Sequence, residues 1–282
     1  MVLSSQSFRS ALLACAAIAL LPVAVHAAEP IRVVFQNGRS VPLSSVTLQG
    51  KNLTLTTPVE GFTPSQTFPL ESADHIFGDR PSEINPAIAL LLMGKPADAL
   101  KLLEPIVLSQ RASAQIPGNF WLEAARAALV AYALDGNSIK CTEIGKEISD
   151  ATSAQGIDSF VTLGKALMMS AAANVADKEV ALRDLTTDNL PAEVCAYASF
   201  FRGNLLKVAK RDKEALEAYL MVSCLFPTGG TILSGVAELN ASEYLRTATR
   251  REEAVLLLKS AISHTAGTLV VAEANKRLES LK

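Results

Sequence analysis

Hydrophobic and polar positions along this chain follow three successive rhythms. Ala11 to Leu21 is an unbroken apolar run, preceded by a polar stretch whose one cation is Arg9. Pro22 interrupts it, and Val25-His26-Ala27 then offers small residues at the two positions a signal peptidase reads. That plan predicts a secretory signal over residues 1–27, cleaved after Ala27. The run is shorter than the roughly 20 apolar residues that a membrane span needs. Cys15 comes too soon after Arg9 for a lipidation box, and the apolar run continues past it, so it reads as an ordinary signal residue.

The second rhythm has a period of two. Ile31 to Phe35 is followed by the tight-turn dipeptide Asn37-Gly38. Val41 to Leu48 comes next, then a turn at Gly50-Lys51-Asn52, and Leu53 to Thr57 alternates apolar with polar. Gln66 to Leu70 and His75 to Phe77 complete four or five short strands. Residues 28–80 are therefore expected to form a small antiparallel β-module, curled into a half-open barrel. So small a unit has little core of its own and gains from a neighbour to pack on. This pattern resembles Sm-like or SH3-like modules.

The third rhythm begins after Gly78-Asp79-Arg80-Pro81. Residues 81–282 turn to Ala, Leu, Glu and Lys, which favour helices. Turn signals now fall every 15–20 residues or so, the spacing of helix–turn–helix units. The clearest unit is Ala196 to Pro227, with Gly203 in one helix, Ala215 and Tyr219 in the next, and Pro227 at the end. Small residues let paired helices approach, an aromatic ring fills the gap beside them, and proline stops the second helix. The unit resembles a tetratricopeptide repeat.

Equivalent small residues are Ala99, Cys141, Ala215 and Ala254, at gaps of 42, 74 and 39. The middle gap is two units, so five helix pairs fit, at a period longer than the family's 34. The resemblance implies a mainly α, tetratricopeptide-like solenoid of about five helix pairs with a C-terminal capping helix over Leu269 to Leu281. Thr249 and Glu252 stand at capping-box spacing before the last pair's second helix. Ile84, Ile88 and Leu91 fall at the inward spacing of the first helix, where the β-module is expected to cover them.

In such an array the first helix of each pair lines a concave face. Transferred to this chain, that face carries Glu123, Arg126, Lys165, Met168, Tyr197, Phe200, Asn204, Lys207, Glu243 and Arg246. Aromatics flanked by mixed charge suit a peptide or helix from a protein partner. The resemblance further implies that Cys195 and Cys224 lie at adjoining ends of one helix pair, where an oxidising compartment could bridge them.

Composition narrows the function. Without residues 1–27 the chain has 255 residues, 25 basic and 28 acidic, a net of −3. That excludes a nucleic-acid footprint, which needs clustered Lys and Arg. No later stretch is apolar enough to span a membrane. The two remaining histidines, His75 and His264, have no second ligand at helix spacing, so neither a metal nor a cofactor is expected. Cys195 or Cys224 could be drawn with His264 as nucleophile and base, but no third group orients them. The expectation is an exported, non-enzymatic scaffold in the periplasm or cell envelope. The alternatives are a structural part of an envelope or secretion assembly and, last, a hydrolase acting on envelope material.

Overall fold

The computed structural model describes residues 29–152, 156–170, 175–187 and 189–281. The expected signal segment lies outside them. Two small antiparallel sheets come first. Strands β1 (Arg32–Phe35), β2 (Ser40–Pro42), β3 (Val46–Gln49), β4 (Asn52–Leu55), β5 (Thr67–Pro69) and β6 (Ala73–Phe77) form sheets ordered β2-β1-β6 and β3-β4-β5.

The expected single strand Val41 to Leu48 is broken. Pro42 has no N–H to continue a ladder, and the chain winds into a 3-10 turn over Leu43–Ser45 before entering the other sheet as β3. The same device recurs at Pro69, followed by the 3-10 turn Leu70–Ser72 and the crossing back to β6. The two halves share a local text, Val41-Pro42-Leu43-Ser44-Ser45 and Phe68-Pro69-Leu70-Glu71-Ser72.

Between the sheets lies a core of Val33, Phe35, Val41, Leu43, Val46, Leu53, Leu55, Ala73 and Ile76. Ile116, from beyond the strands, completes it. The Ile76 N–H donates to Pro117 O at 3.0 Å, which covers part of the edge of β6.

Among the described residues the rest is eleven α-helices: α1 (Ile84–Leu92), α2 (Pro96–Gln110), α3 (Trp121–Asp135), α4 (Ser138–Thr152), α5 (Ser159–Met168), α6 (Val175–Arg183), α7 (Ala192–Val208), α8 (Asp212–Leu225), α9 (Thr231–Thr247), α10 (Arg251–His264) and α11 (Val270–Glu279). Consecutive helices pack as five pairs, and α11 packs on α10. Ala99, Cys141, Ala215 and Ala254 are all buried. Gly203 faces the Tyr219 ring so closely that a Cβ there would come within 2.8 Å of it.

The capping box at Thr249 does not form. Thr249 takes a left-handed φ of 60°, α10 starts after it, and Arg250 instead pairs with Glu253.

Helices α1, α3, α5, α7 and α9 each touch the next, and α9 returns to touch α1. The path of these inner helices is therefore closed. The closure corrects two expectations. Ile84 and Leu91 are buried within the helical core, not the β core, and Ile88 packs against the helical core while lining the cleft described below, so helices cover them in place of the β-module. The β-module instead docks through Ile116 and Pro117, on the segment between α2 and α3.

Candidate functional site

Closure gathers the first turns of the inner helices at one end of the circuit. Asn85 of α1, Glu123 of α3, Glu193 of α7 and Thr231 of α9 line a cleft of about 270 Å³, together with Arg80 and Tyr197. Asp158, the N-cap of α5, joins them through Arg126. Carboxylates at helix starts are locally favoured, because the unpaired N–H groups there carry partial positive charge. Asp158 accepts from the Phe160 N–H at 2.9 Å in the ordinary capping manner.

Two guanidiniums hold the carboxylates. Arg80 donates to Glu123 at 2.9 and 2.7 Å and to Asn85 at 2.9 Å. The hydrogen bond to Glu123 raises the Arg80 pKa. Arg126 donates to Asp158 at 3.2 and 2.6 Å, and its guanidinium lies 5.0 Å over the Phe160 ring. The Asp158 side chain is 2% exposed, so its carboxylate is the most buried of the set, although Arg126 is partly exposed.

Glu193 is served least well. Its contact with Arg126 is 3.8 Å, and that arginine is already committed to Asp158. Burial pushes the Glu193 carboxyl above the usual carboxylate range; Arg126 opposes the shift, while Glu123 and Asp158 reinforce it. Gly229 forms the wall beside it. A Cβ there would come 2.4 Å from the Ala196 Cβ and 3.0 Å from the Ala192 carbonyl, so no larger residue fits.

The ten residues expected on one concave face are dispersed. Glu123 lines this mouth, Arg126 reaches it through its 3.8 Å contact with Glu193, and Tyr197 borders it while 4% exposed, edge-on to Phe160 at 5.5 Å. Burial raises the Tyr197 hydroxyl well above its ordinary value. Phe200 is 0% exposed, against Phe201 and Tyr219, and is core. Asn204 accepts from the Tyr219 hydroxyl at 2.6 Å. Lys207 is exposed, and Glu243 and Arg246 pair with each other one turn apart. Lys165 and Met168 line a separate slot between α4 and α5.

Cys195 and Cys224 are not bridged in this structure: the Cys195 thiol points to the carbonyls of Thr187 and Leu190 at 3.5 and 3.7 Å, and Cys224 is an exposed thiol. Cys195 points back toward the turn before its own helix, so packing two helix ends together does not aim the sulfurs at each other. Cys141 is buried, which raises its pKa.

Comparisons of the chain with protein-family models, curated proteins and solved structures find no match. Two groups of interest had no place in the sequence reading. Arg80 falls in what looked like a polar linker. Glu238 is a buried carboxylate in α9 that accepts from Ser260 at 3.0 Å and lies 3.0 Å from His264 Nδ1. A lone acid inside the apolar run Ile232 to Leu239, with Ser260 and His264 one turn apart downstream, was the available signal. Glu238 faces the outer helix α10, whereas Glu193 lines the mouth.

Proposed function

We propose that this protein is an exported, non-enzymatic binding scaffold, built from tetratricopeptide-like helix pairs, that engages a protein partner in the cell envelope. The partner docks at the mouth of the inner-helix circuit instead of along a concave groove. One observation carries this reading: Glu193 lines the cleft with its nearest cation at 3.8 Å and shared with Asp158. A carboxylate kept under-neutralised in a walled cleft favours a basic side chain from outside, which supplies the missing charge-assisted hydrogen bond. Arg80 and Arg126 hold the neighbouring carboxylates in place, so the site is preorganised. Among the described residues no helix is long and apolar enough to cross a membrane.

Site-specific photocrosslinking in cells tests the reading. A photoreactive residue at Thr231 is expected to capture a partner, and Glu193→Lys in the same chain should abolish the adduct. A photoreactive residue at Lys207 is the control, because fourteen helical residues separate it from Glu193, about 21 Å along α7. An adduct at 207 in place of 231, or one at 231 indifferent to Glu193, would refute the proposed mouth.

A further inference from the structure

The slot between α4 and α5 has a chemistry of its own. Its volume is about 230 Å³, with Leu129, Val161 and Met168 in its wall. It exists because of glycine. A Cβ on Gly145 of α4 would stand 3.3 Å from Leu129 Cδ1 and 3.7 Å from Val161 Cγ1, in the space the slot occupies. On α5, a Cβ on Gly164 would come 2.6 Å from Leu129 Cδ2, so that glycine lets α5 settle onto α3. Among the residues that line the slot the only charges are Lys146 and Lys165, both exposed, and no acid is present. The mouth mixes both signs, whereas this slot is apolar within and cationic at its rim. Long lysine side chains suit such a rim, with their stems on apolar surface and their ammonium groups in water.

We infer that this slot binds a single alkyl chain bearing an anionic head group, such as a medium-chain carboxylate. The chain lies against Leu129, Val161 and Met168, and the head meets Lys146 and Lys165. The inference is independent of the mouth, since none of these residues lines it.

The test is titration of the full chain with decanoate below its micelle concentration, beside decylammonium and octanoate. Decanoate should bind saturably and at least about tenfold more tightly than decylammonium, because the rim repels the cation. Octanoate should bind about fourfold more weakly than decanoate, roughly half the free energy of fully burying two methylenes, since the slot is partly open. Lys146→Glu with Lys165→Glu should weaken decanoate at least about tenfold with an unchanged thermal midpoint, since both side chains are exposed. Gly145→Leu should block the slot outright; if it also unfolds the chain, the lysine pair alone decides. Equal affinity for decylammonium, decanoate binding that survives the lysine reversal, or no saturable binding would overturn the inference. So would displacement of decanoate by a pentaglutamate peptide at lower concentration, which would assign the slot to acidic protein segments.

Discussion

Helices α7 and α10 each carry five alanines and leucines, yet they live in opposite surroundings. In α7 eleven residues are buried, among them Phe200, Phe201 and Tyr197; in α10 only Ala254, Leu258 and Ala261 are. The difference is position: α7 belongs to the closed circuit and is packed on several sides, whereas α10 is an outer helix that presents Leu256 to solvent. A polar residue on an inner helix survives at the first turn, as Glu123 and Glu193 do, or inside it when paired, as Glu238 is with Ser260 and His264 and Arg202 is with Glu179.

The largest test of this contrast is truncation of matched apolar side chains. Phe200→Ala is expected to destabilise by about 3–5 kcal/mol, the usual range for a buried aromatic. Leu256→Ala should stay within about 0.5 kcal/mol, as exposed substitutions do. Chemical denaturation measures both. A neutral Phe200→Ala would restore the open groove.

Ion pairs give the next contrast. Arg126→Ala strands the buried Asp158 carboxylate and should cost about 2–3 kcal/mol, less than for a fully buried pair because Arg126 is itself partly exposed. Arg250→Ala breaks an exposed outer pair with Glu253 and should cost well under about 1 kcal/mol. Equal costs in thermal melts would remove the distinction between inner and outer helices.

Much of the local structure was legible. Asn37-Gly38 and Gly50-Lys51 turn the chain where expected, with both glycines at positive φ. Gly203, Tyr219 and the stop at Pro227 also fall at their expected helix contacts. What local pattern does not encode is closure. The contact between α1 and α9 joins segments far apart in the chain, and no short-range spacing records it. An inner helix with a polar first turn then reads as an amphipathic groove wall, which is how Phe200 came to be placed on a surface. Thr249 failed for a smaller reason: the spacing of a capping box fixes residue types, while its own left-handed φ moved the helix start past it.

pH sharpens the contrast further. Glu179 of α6 is held by Arg202 of α7 and by Arg211. Burial alone would raise its carboxyl, but the hydrogen bonds from the two arginines outweigh it and leave the pKa lowered. A carboxyl depressed in the folded state contributes stability above its unfolded value of about 4.3 and loses it as pH falls through the folded value. Glu179→Gln should therefore flatten the acid limb of stability below about pH 5. An unchanged acid limb would show that the pair joins α6 to α7 only weakly.

Glu193 has the opposite sign and the smallest expected effect. Its carboxyl is raised in the folded state, chiefly by desolvation in the cleft, but the side chain is 40% exposed, so its ionised form opposes folding only weakly at neutral pH. Stability should be gained as pH falls through the folded value. Glu193→Gln is expected to raise the thermal midpoint slightly at pH 7, with the advantage fading as pH is lowered through the folded value of Glu193. A group that costs stability where it could bind a partner is what the mouth proposal requires. A lower midpoint for Glu193→Gln at pH 7 would make Glu193 a structural residue.

The meeting of α1 and α9 is what closes the inner circuit. An open array would set these helices four helix spacings apart, about 35 Å at ~9 Å each. Asn85 of α1 and Thr231 of α9 are both exposed and line the same cleft, so spin labels at these two positions leave the core untouched. With Cys15, Cys141, Cys195 and Cys224 replaced, pulsed electron spin resonance on the doubly labelled chain should give a single short distance, under about 20 Å and well below the four-spacing separation. A distribution centred near 35 Å would contradict the closed circuit and, with it, the mouth.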